Sequence, residues 1–160
     1  MKQISDEEIY LNELNNSNNW NKLSFEYELS EKIMREFSNK LNWTYICIYQ
    51  KLSANFMEDF KYKLFWDLIC QYQNLPEQFI ELHLNKINWE LISRYQTLSE
   101  NFIRKYKDKV NWDYISMDQK LSEPFIEEFE NKVNWNFIFM YQELPIKFIV
   151  KHKQRSNYYL

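Results

Sequence analysis

Glycine is absent from all 160 residues. A P-loop or a dinucleotide fingerprint needs a backbone that approaches phosphate where only glycine fits, so both are excluded. Hairpin-rich β folds, which rely on glycine at positive φ, are disfavoured on the same ground. Asparagine, abundant here, is the next choice for turns and caps. There are only two histidines and two cysteines, and they show no metal-ligand spacing. No apolar run approaches the roughly 20 residues of a membrane span. The N-terminus, MKQISDEEIYLNELNN, lacks the basic-then-apolar order of a signal peptide. These absences lead us to expect a soluble, cytoplasmic protein with no cofactor, no metal and no membrane partner. The net charge of −3 gives no general attraction to nucleic acid.

What is present is a period. Trp20, Trp43, Trp66, Trp89, Trp112 and Trp135 are the only tryptophans, each 23 residues after the last. Self-similarity at a fixed interval of this size is the signature of a repeat architecture. Each repeat reads as two short helices. The first opens at an asparagine N-cap (Asn19, Asn42, Asn88, Asn111, Asn134; Phe65 breaks the series), whose side chain can bond the free N–H groups of the first turn. Ile46, Ile69, Ile92, Ile115 and Ile138 recur three residues after tryptophan. Tyr45, Leu68, Leu91, Tyr114 and Phe137 make a second side, joined by Tyr49, Tyr72, Tyr95 and Tyr141. A helix apolar on most of its circumference is expected to be buried.

The second helix opens at Ser30, Ser53, Ser99 or Ser122, with Pro76 and Pro145 at the same boundary and Pro124 in a first turn. In the fourth repeat Phe102, Ile103, Tyr106 and Val110 form one amphipathic stripe. Lys40, Lys63, Lys86, Lys109, Lys132 and Arg155 are expected to close the last turn, where the helix dipole favours cations. The fold class is therefore all-α, an α-solenoid of stacked two-helix repeats with a 23-residue period. We expect one domain over residues 1–160: an N-terminal half repeat or cap at 1–19, opened by a Ser5–Glu8 capping box, six repeats at 20–154, and a C-terminal tail at 155–160.

Most candidate chemistry dissolves into this period. His83 and His152 fall where Phe37, Phe60, Tyr106 and Phe129 stand in other repeats, which marks a packing site. Cys47 and Cys70 fall where Ser24, Ser93, Ser116 and Phe139 stand. Stacked helices lie about 8–10 Å apart, beyond the roughly 7 Å Cα reach of a disulfide, so free packing cysteines are expected. Gln50, Gln73, Gln96, Gln119 and Gln142 recur at the end of the first helix, where their amides suit orphan backbone groups of the turn. No nucleophile–base–orienter set is present, and no enzyme is expected.

Two places vary enough to carry function. Five residues after each tryptophan stand Phe25, Ile48, Gln71, Arg94, Met117 and Met140, either an outward partner-binding strip or a packing position between repeats. The second helix of the fourth repeat carries Arg104, Lys105 and Lys107, while the fifth carries Glu127, Glu128 and Glu130 at the same positions. Alternating sign predicts ion pairs between repeats more readily than a continuous basic stripe. The chain ends NYYL, and Tyr158, Tyr159 and Leu160 either fold over the last repeat or dock on a partner or another copy.

The pattern LSE-x-F-I-x-x-F/Y-x-x-K-V-N-W-x-x-I-S-x-x-Q, best seen in LSENFIRKYKDKVNWDYISMDQ from Leu98 to Gln119, resembles the short tryptophan-bearing helical repeats of uncharacterised giant-virus, phage and bacterial proteins. The resemblance covers nearly the whole chain from about residue 20. The first repeat departs from it, with Tyr27 in place of glutamine and Lys22 in an apolar place. The resemblance implies a viral or mobile-element origin and no activity or site residues. The resulting expectation is a non-enzymatic protein-binding module, with a phage or viral inhibitor that binds a host defence protein in the host cytoplasm as the specific case. The alternative is a nucleic-acid binder using the basic fourth repeat; self-association through the C-terminal end comes third.

Overall fold

A computed structural model of the chain describes residues 2, 3, 5, 8, 9 and 20–156. The expected cap at Asn19 and the tail residues Tyr158, Tyr159 and Leu160 lie outside the described residues. The described chain is all-α and forms two compact units, Met1–Lys86 and Ile87–Leu160, each holding three tryptophan-bearing repeats. In the first unit the helix pairs are α1 (Trp20–Glu26) and α2 (Glu31–Glu36), α3 (Trp43–Tyr49) and α4 (Ala54–Asp59), and α5 (Trp66–Tyr72) and α6 (Glu77–Leu82). In the second they are α7 (Trp89–Tyr95) and α8 (Glu100–Lys105), α9 (Trp112–Asp118) and α10 (Glu123–Glu128), and α11 (Trp135–Tyr141) and α12 (Ile146–His152). The only strand pairing among the described residues is short and parallel: β1 (Lys2–Gln3) beside β2 (Tyr27–Glu28).

Helices of six or seven residues are too short to persist on propensity, so capping and packing hold them. Asn42, Asn88, Asn111 and Asn134 each accept from two first-turn N–H groups, as the period predicts, and Phe65 makes no side-chain cap. Ser30, Ser53, Ser99 and Ser122 cap the second helices, each accepting from one first-turn N–H. At the N-terminus Ser5 and Glu8 form a reciprocal capping box, each backbone N–H donating to the other's side chain. No described residue has positive φ. Each tryptophan helix of repeats two to six ends at its glutamine in extended backbone instead, so the turn needs no glycine.

Within each unit the tryptophan helices of successive repeats pack side by side. Ile46, Ile69, Ile92, Ile115 and Ile138 are wholly buried there. Each tryptophan ring lies against an aromatic or imidazole ring at the end of its own second helix, 4.7–5.1 Å away: Phe37, Phe60, His83, Tyr106 and Phe129 at the C-cap, and His152 as the last helical residue. This corrects the expected length of the second helix. It stops before Tyr106, and Val110 lies in the turn beyond it. Lys40, Lys63 and Lys86 therefore stand in the turn, not in the last helical turn. Their ammonium groups sit 5.0–5.5 Å from the tryptophan ring centres of their own repeats, a cation–π contact instead of a dipole contact.

Neighbouring repeats are joined by two polar devices. The amide nitrogen of Gln73 donates to Cys47 O and Gln50 O of the preceding repeat, and its oxygen accepts from Leu52 N. Gln50, Gln119 and Gln142 repeat the arrangement. In the other direction Ser24, Ser93 and Ser116 donate to the carbonyl of their own tryptophan. Each of these hydroxyls also accepts the backbone N–H of the next repeat's asparagine. Cys47 and Cys70 occupy this position as free, buried thiols, and burial raises the Cys47 thiol above its ordinary pKa.

Three positions depart from these devices. A glutamine reaches back to the repeat before it, and Tyr27 stands where the first repeat would need one. Lys22, at the position through which later repeats receive a ring or guanidinium from behind, pairs with Glu26 instead. The serine serves the repeat that follows it, and the sixth repeat has Phe139 there, packed on Trp135 at 5.6 Å.

Candidate interaction surface

The tryptophan helices bury one side and leave another open. Tyr49 and Tyr72 in the first unit are 45% and 49% exposed, and Tyr95 and Tyr141 in the second are 40% and 52% exposed. This overturns their expected place in the core. The residues two after tryptophan (Tyr45, Leu68, Leu91, Tyr114, Phe137) are half-buried beside them. The sequence held a signal for this: Glu26 and Asp118 occupy the tyrosine position in the first and fifth repeats, and carboxylate side chains are rarely buried whole.

The variable position five after tryptophan lies on the same side and both packs between repeats and meets solvent. Phe25, Arg94 and Met140 are exposed, while Ile48, Gln71 and Met117 are half-buried. In the first unit the Phe25 ring meets Tyr45 of the next repeat edge-on at 5.4 Å and lies 6.2 Å from Tyr49. In the second, the Arg94 guanidinium lies 5.1 Å from the Tyr95 ring centre and 5.2 Å from that of Tyr114 in the next repeat. Tyr114 in turn donates to Glu90 at 3.4 Å. Asp118 is held above its ordinary pKa by partial burial, which Arg94 opposes. A cleft of about 330 Å³ beside this row is lined by Met117, Asp118, Tyr141 and Glu143 among others. Rings fixed by neighbouring rings and a guanidinium give a pre-ordered surface, which loses little side-chain freedom on contact.

The basic cluster is spent differently. Arg104 donates to Glu128 of the next repeat at 2.8 Å, lies 3.6 Å from Glu100, and sits 5.0 Å from the Phe125 ring centre. Lys105 is exposed and leans 5.4 Å from the Tyr106 ring centre; Lys107 is exposed. Inter-repeat ion pairs recur along this side, as the alternating signs predict: Arg35–Asp59, Lys132–Asp108, Lys151–Glu127 and Arg155–Glu130. Of the three, Arg104 is committed to carboxylates, while Lys105 and Lys107 stand in solvent.

The histidines belong to the packing, each with a carboxylate added. His152 Nε2 lies 3.2 Å from Glu127 Oε1. His83 Nε2 lies 2.9 Å from Glu58 Oε2 without the alignment of a hydrogen bond. Glu58 is held below its ordinary pKa by Lys61 first and His83 second, and Glu127 by Lys151 and then His152. Among the described residues no group of three His, Cys, Asp or Glu side chains is placed to hold a metal ion. No helix among them is long and apolar enough to cross a membrane. No protein-family model, curated protein or solved structure matches the chain.

Proposed function

We propose that this chain is a non-enzymatic binding module that receives another protein on the exposed aromatic side of the tryptophan helices within a unit. The observation that carries the reading is the exposure of Tyr49, Tyr72, Tyr95 and Tyr141 on rigid helices, beside Phe25, Ile48, Arg94, Met117 and Met140. Tyrosine, methionine and arginine are the residues enriched at protein interfaces and their energetic centres. The viral resemblance narrows the partner to a host protein, a defence component in the host cytoplasm being the specific case.

The test is affinity capture from bacterial lysate with and without nuclease, using the native chain, Arg94→Ala/Tyr141→Ser, and Lys105→Ala/Lys107→Ala. One stoichiometric protein that survives nuclease supports the reading. Loss of two central contacts at about 2 kcal/mol each weakens its capture by far more than tenfold, and the lysine variant retains it. Recovery that vanishes with nuclease and with the lysine variant overturns the reading in favour of nucleic acid.

A further inference from the structure

Within the second unit, the groove between successive tryptophan helices carries a cation of the chain's own at one step and not at the next. At the first step its two sides bear Arg94 and Asp118, and Arg94 attracts the Asp118 carboxylate across the repeat boundary. The Arg94 guanidinium is held over two rings, 5.1 Å from the Tyr95 centre and 5.2 Å from that of Tyr114. One repeat on, Met117 stands in the place of Arg94 and Tyr141 in the place of Asp118. The groove there is the cleft of about 330 Å³, whose wall includes the Tyr141 ring, Met117 and the carboxylates of Asp118 and Glu143, with Lys120 as its cation. Among the described residues neither carboxylate makes a hydrogen bond or an ion pair, whereas Asp108, Glu127, Glu128 and Glu130 of the same unit are each paired with a lysine or arginine. Asp118 is also partly desolvated, which raises its carboxyl; water therefore screens its charge incompletely. The opening does not come from where the chain stops. Tyr49, Tyr95 and Asp118 share the register of Tyr141, and Lys51, Thr97 and Lys120 that of Glu143. All six are exposed although another repeat of the same unit follows them.

We propose, on the reading of the aromatic side as the partner surface, that this cleft receives an arginine side chain of the partner protein. Its guanidinium lies over the Tyr141 ring and donates to Asp118 and Glu143. Charge selects this occupant. A phosphate would meet two carboxylates against one ammonium, and an apolar side chain would desolvate both carboxylates without a counter-charge. Among cations, the guanidinium both stacks on an aromatic face and donates to carboxylates through a planar fork; the ammonium of lysine is a compact, strongly hydrated point charge. Arg94 shows the same manner of holding inside the chain, with a guanidinium on tyrosine rings and a carboxylate within its field. The exchange of Arg94 for Met117 one repeat later leaves the carboxylates in place and removes the cation, which the partner then supplies.

The test is a nuclear magnetic resonance titration of the 160-residue chain, carbon-labelled at its methionine methyl groups, with N-acetyl-arginine-methylamide at millimolar concentration and low salt. Met117 lines the cleft, and Met34 and Met57, wholly buried in the first unit, are internal controls. The expected result is a saturable shift of the Met117 signal with Met34 and Met57 unmoved. Binding should weaken about fivefold or more with the uncharged isostere N-acetyl-citrulline-methylamide, and equally in Asp118→Asn/Glu143→Gln. It should be unchanged in Glu123→Gln, which removes an exposed carboxylate of the same unit outside the cleft. All three carboxylates are exposed, so the variants leave the core intact. No saturable shift at Met117, an equal response to citrulline, or a loss in Glu123→Gln that matches the double variant each overturns the inference. Where affinity capture still retains a protein through Arg94 and Tyr141, only the arginine assignment falls; where capture fails as well, the partner surface falls with it.

Discussion

Gln119 offers the sharpest test of how the repeats are joined. Its side chain is 5% exposed. It donates to Ser93 O at 3.0 Å and Gln96 O at 2.7 Å, and accepts from Leu98 N at 2.9 Å. Gln119→Ala leaves two carbonyls and one N–H in a buried turn without this partner. Each buried unsatisfied group costs about 1–3 kcal/mol, and water entering the space left by the side chain favours the low end. The expected loss is about 3 kcal/mol, a large share of the 5–15 kcal/mol typical of a folded domain. Gln119→Glu keeps the shape and sharpens the argument. Its oxygen can still accept from Leu98, but the ionised carboxylate faces two carbonyl oxygens it cannot satisfy. The charged form is disfavoured in the fold, so the introduced carboxyl has a raised folded pKa. A raised carboxyl costs stability as pH rises: the variant stays near the native chain in acid and loses about 1.4 kcal/mol per pH unit above the ordinary glutamate value of about 4.3, until its folded pKa is passed. Urea unfolding followed by far-ultraviolet circular dichroism, with the native chain measured at each pH, isolates this difference. An alanine cost below about 1 kcal/mol, together with a glutamate cost flat in pH, would refute the role assigned to the amide.

Three further outcomes follow from the same contacts. Trp89→Ala should cost about 3 kcal/mol, the low end for tryptophan truncation, because the ring packs on Phe102 and Tyr106 yet is only half-buried; equilibrium unfolding checks this, and a cost under 1 kcal/mol would make it a surface residue. Cys47→Ser should fall within about 1 kcal/mol of the native chain, since Ser24, Ser93 and Ser116 fill that position elsewhere, and a loss above 2 kcal/mol in the same assay would show that the thiol packs in a way the hydroxyl cannot. Glu58, Asp108 and Glu127 have lowered folded pKa values. The stability they contribute is present above the ordinary carboxylate range and disappears as pH falls through their folded values, so Glu127→Gln should lower the melting temperature at neutral pH and converge with the native chain in acid.

The frame was legible because it repeats. A lone asparagine before a tryptophan says little, but the series Asn42, Asn88, Asn111 and Asn134 at one register names a cap, and the glutamine series names a turn residue. The two errors have a common cause. Tyr49, Tyr72, Tyr95 and Tyr141 read as core because a helical wheel scores tyrosine as apolar, while its hydroxyl lets it stand half in water. Val110 read as helical because its spacing continued a stripe, while the helix ends at Lys105 with Tyr106 as its C-cap. Periodicity reports which residues share a side; it does not report how far a seven-residue helix is covered by its neighbours. His83 and His152 were placed correctly by substitution for Phe37, Phe60, Tyr106 and Phe129, but their pairing with Glu58 and Glu127 spans 25 residues and left no local mark.

The same distinction bears on how such a chain recognises anything. The asparagine, glutamine, serine and tryptophan positions are spent on joining repeats, and changing them unravels the stack before it changes a surface. The tyrosine position recurs in four of the six repeats yet is open to solvent, so it supplies an aromatic floor within each unit. The position one residue earlier differs in almost every repeat, from Phe25 through Gln71 and Arg94 to Met140. On the proposed reading, affinity resides in the floor and choice of partner in the variable position. Exchanging Arg94 for methionine would then alter which protein is held, while exchanging Tyr95 for serine would weaken the holding of any.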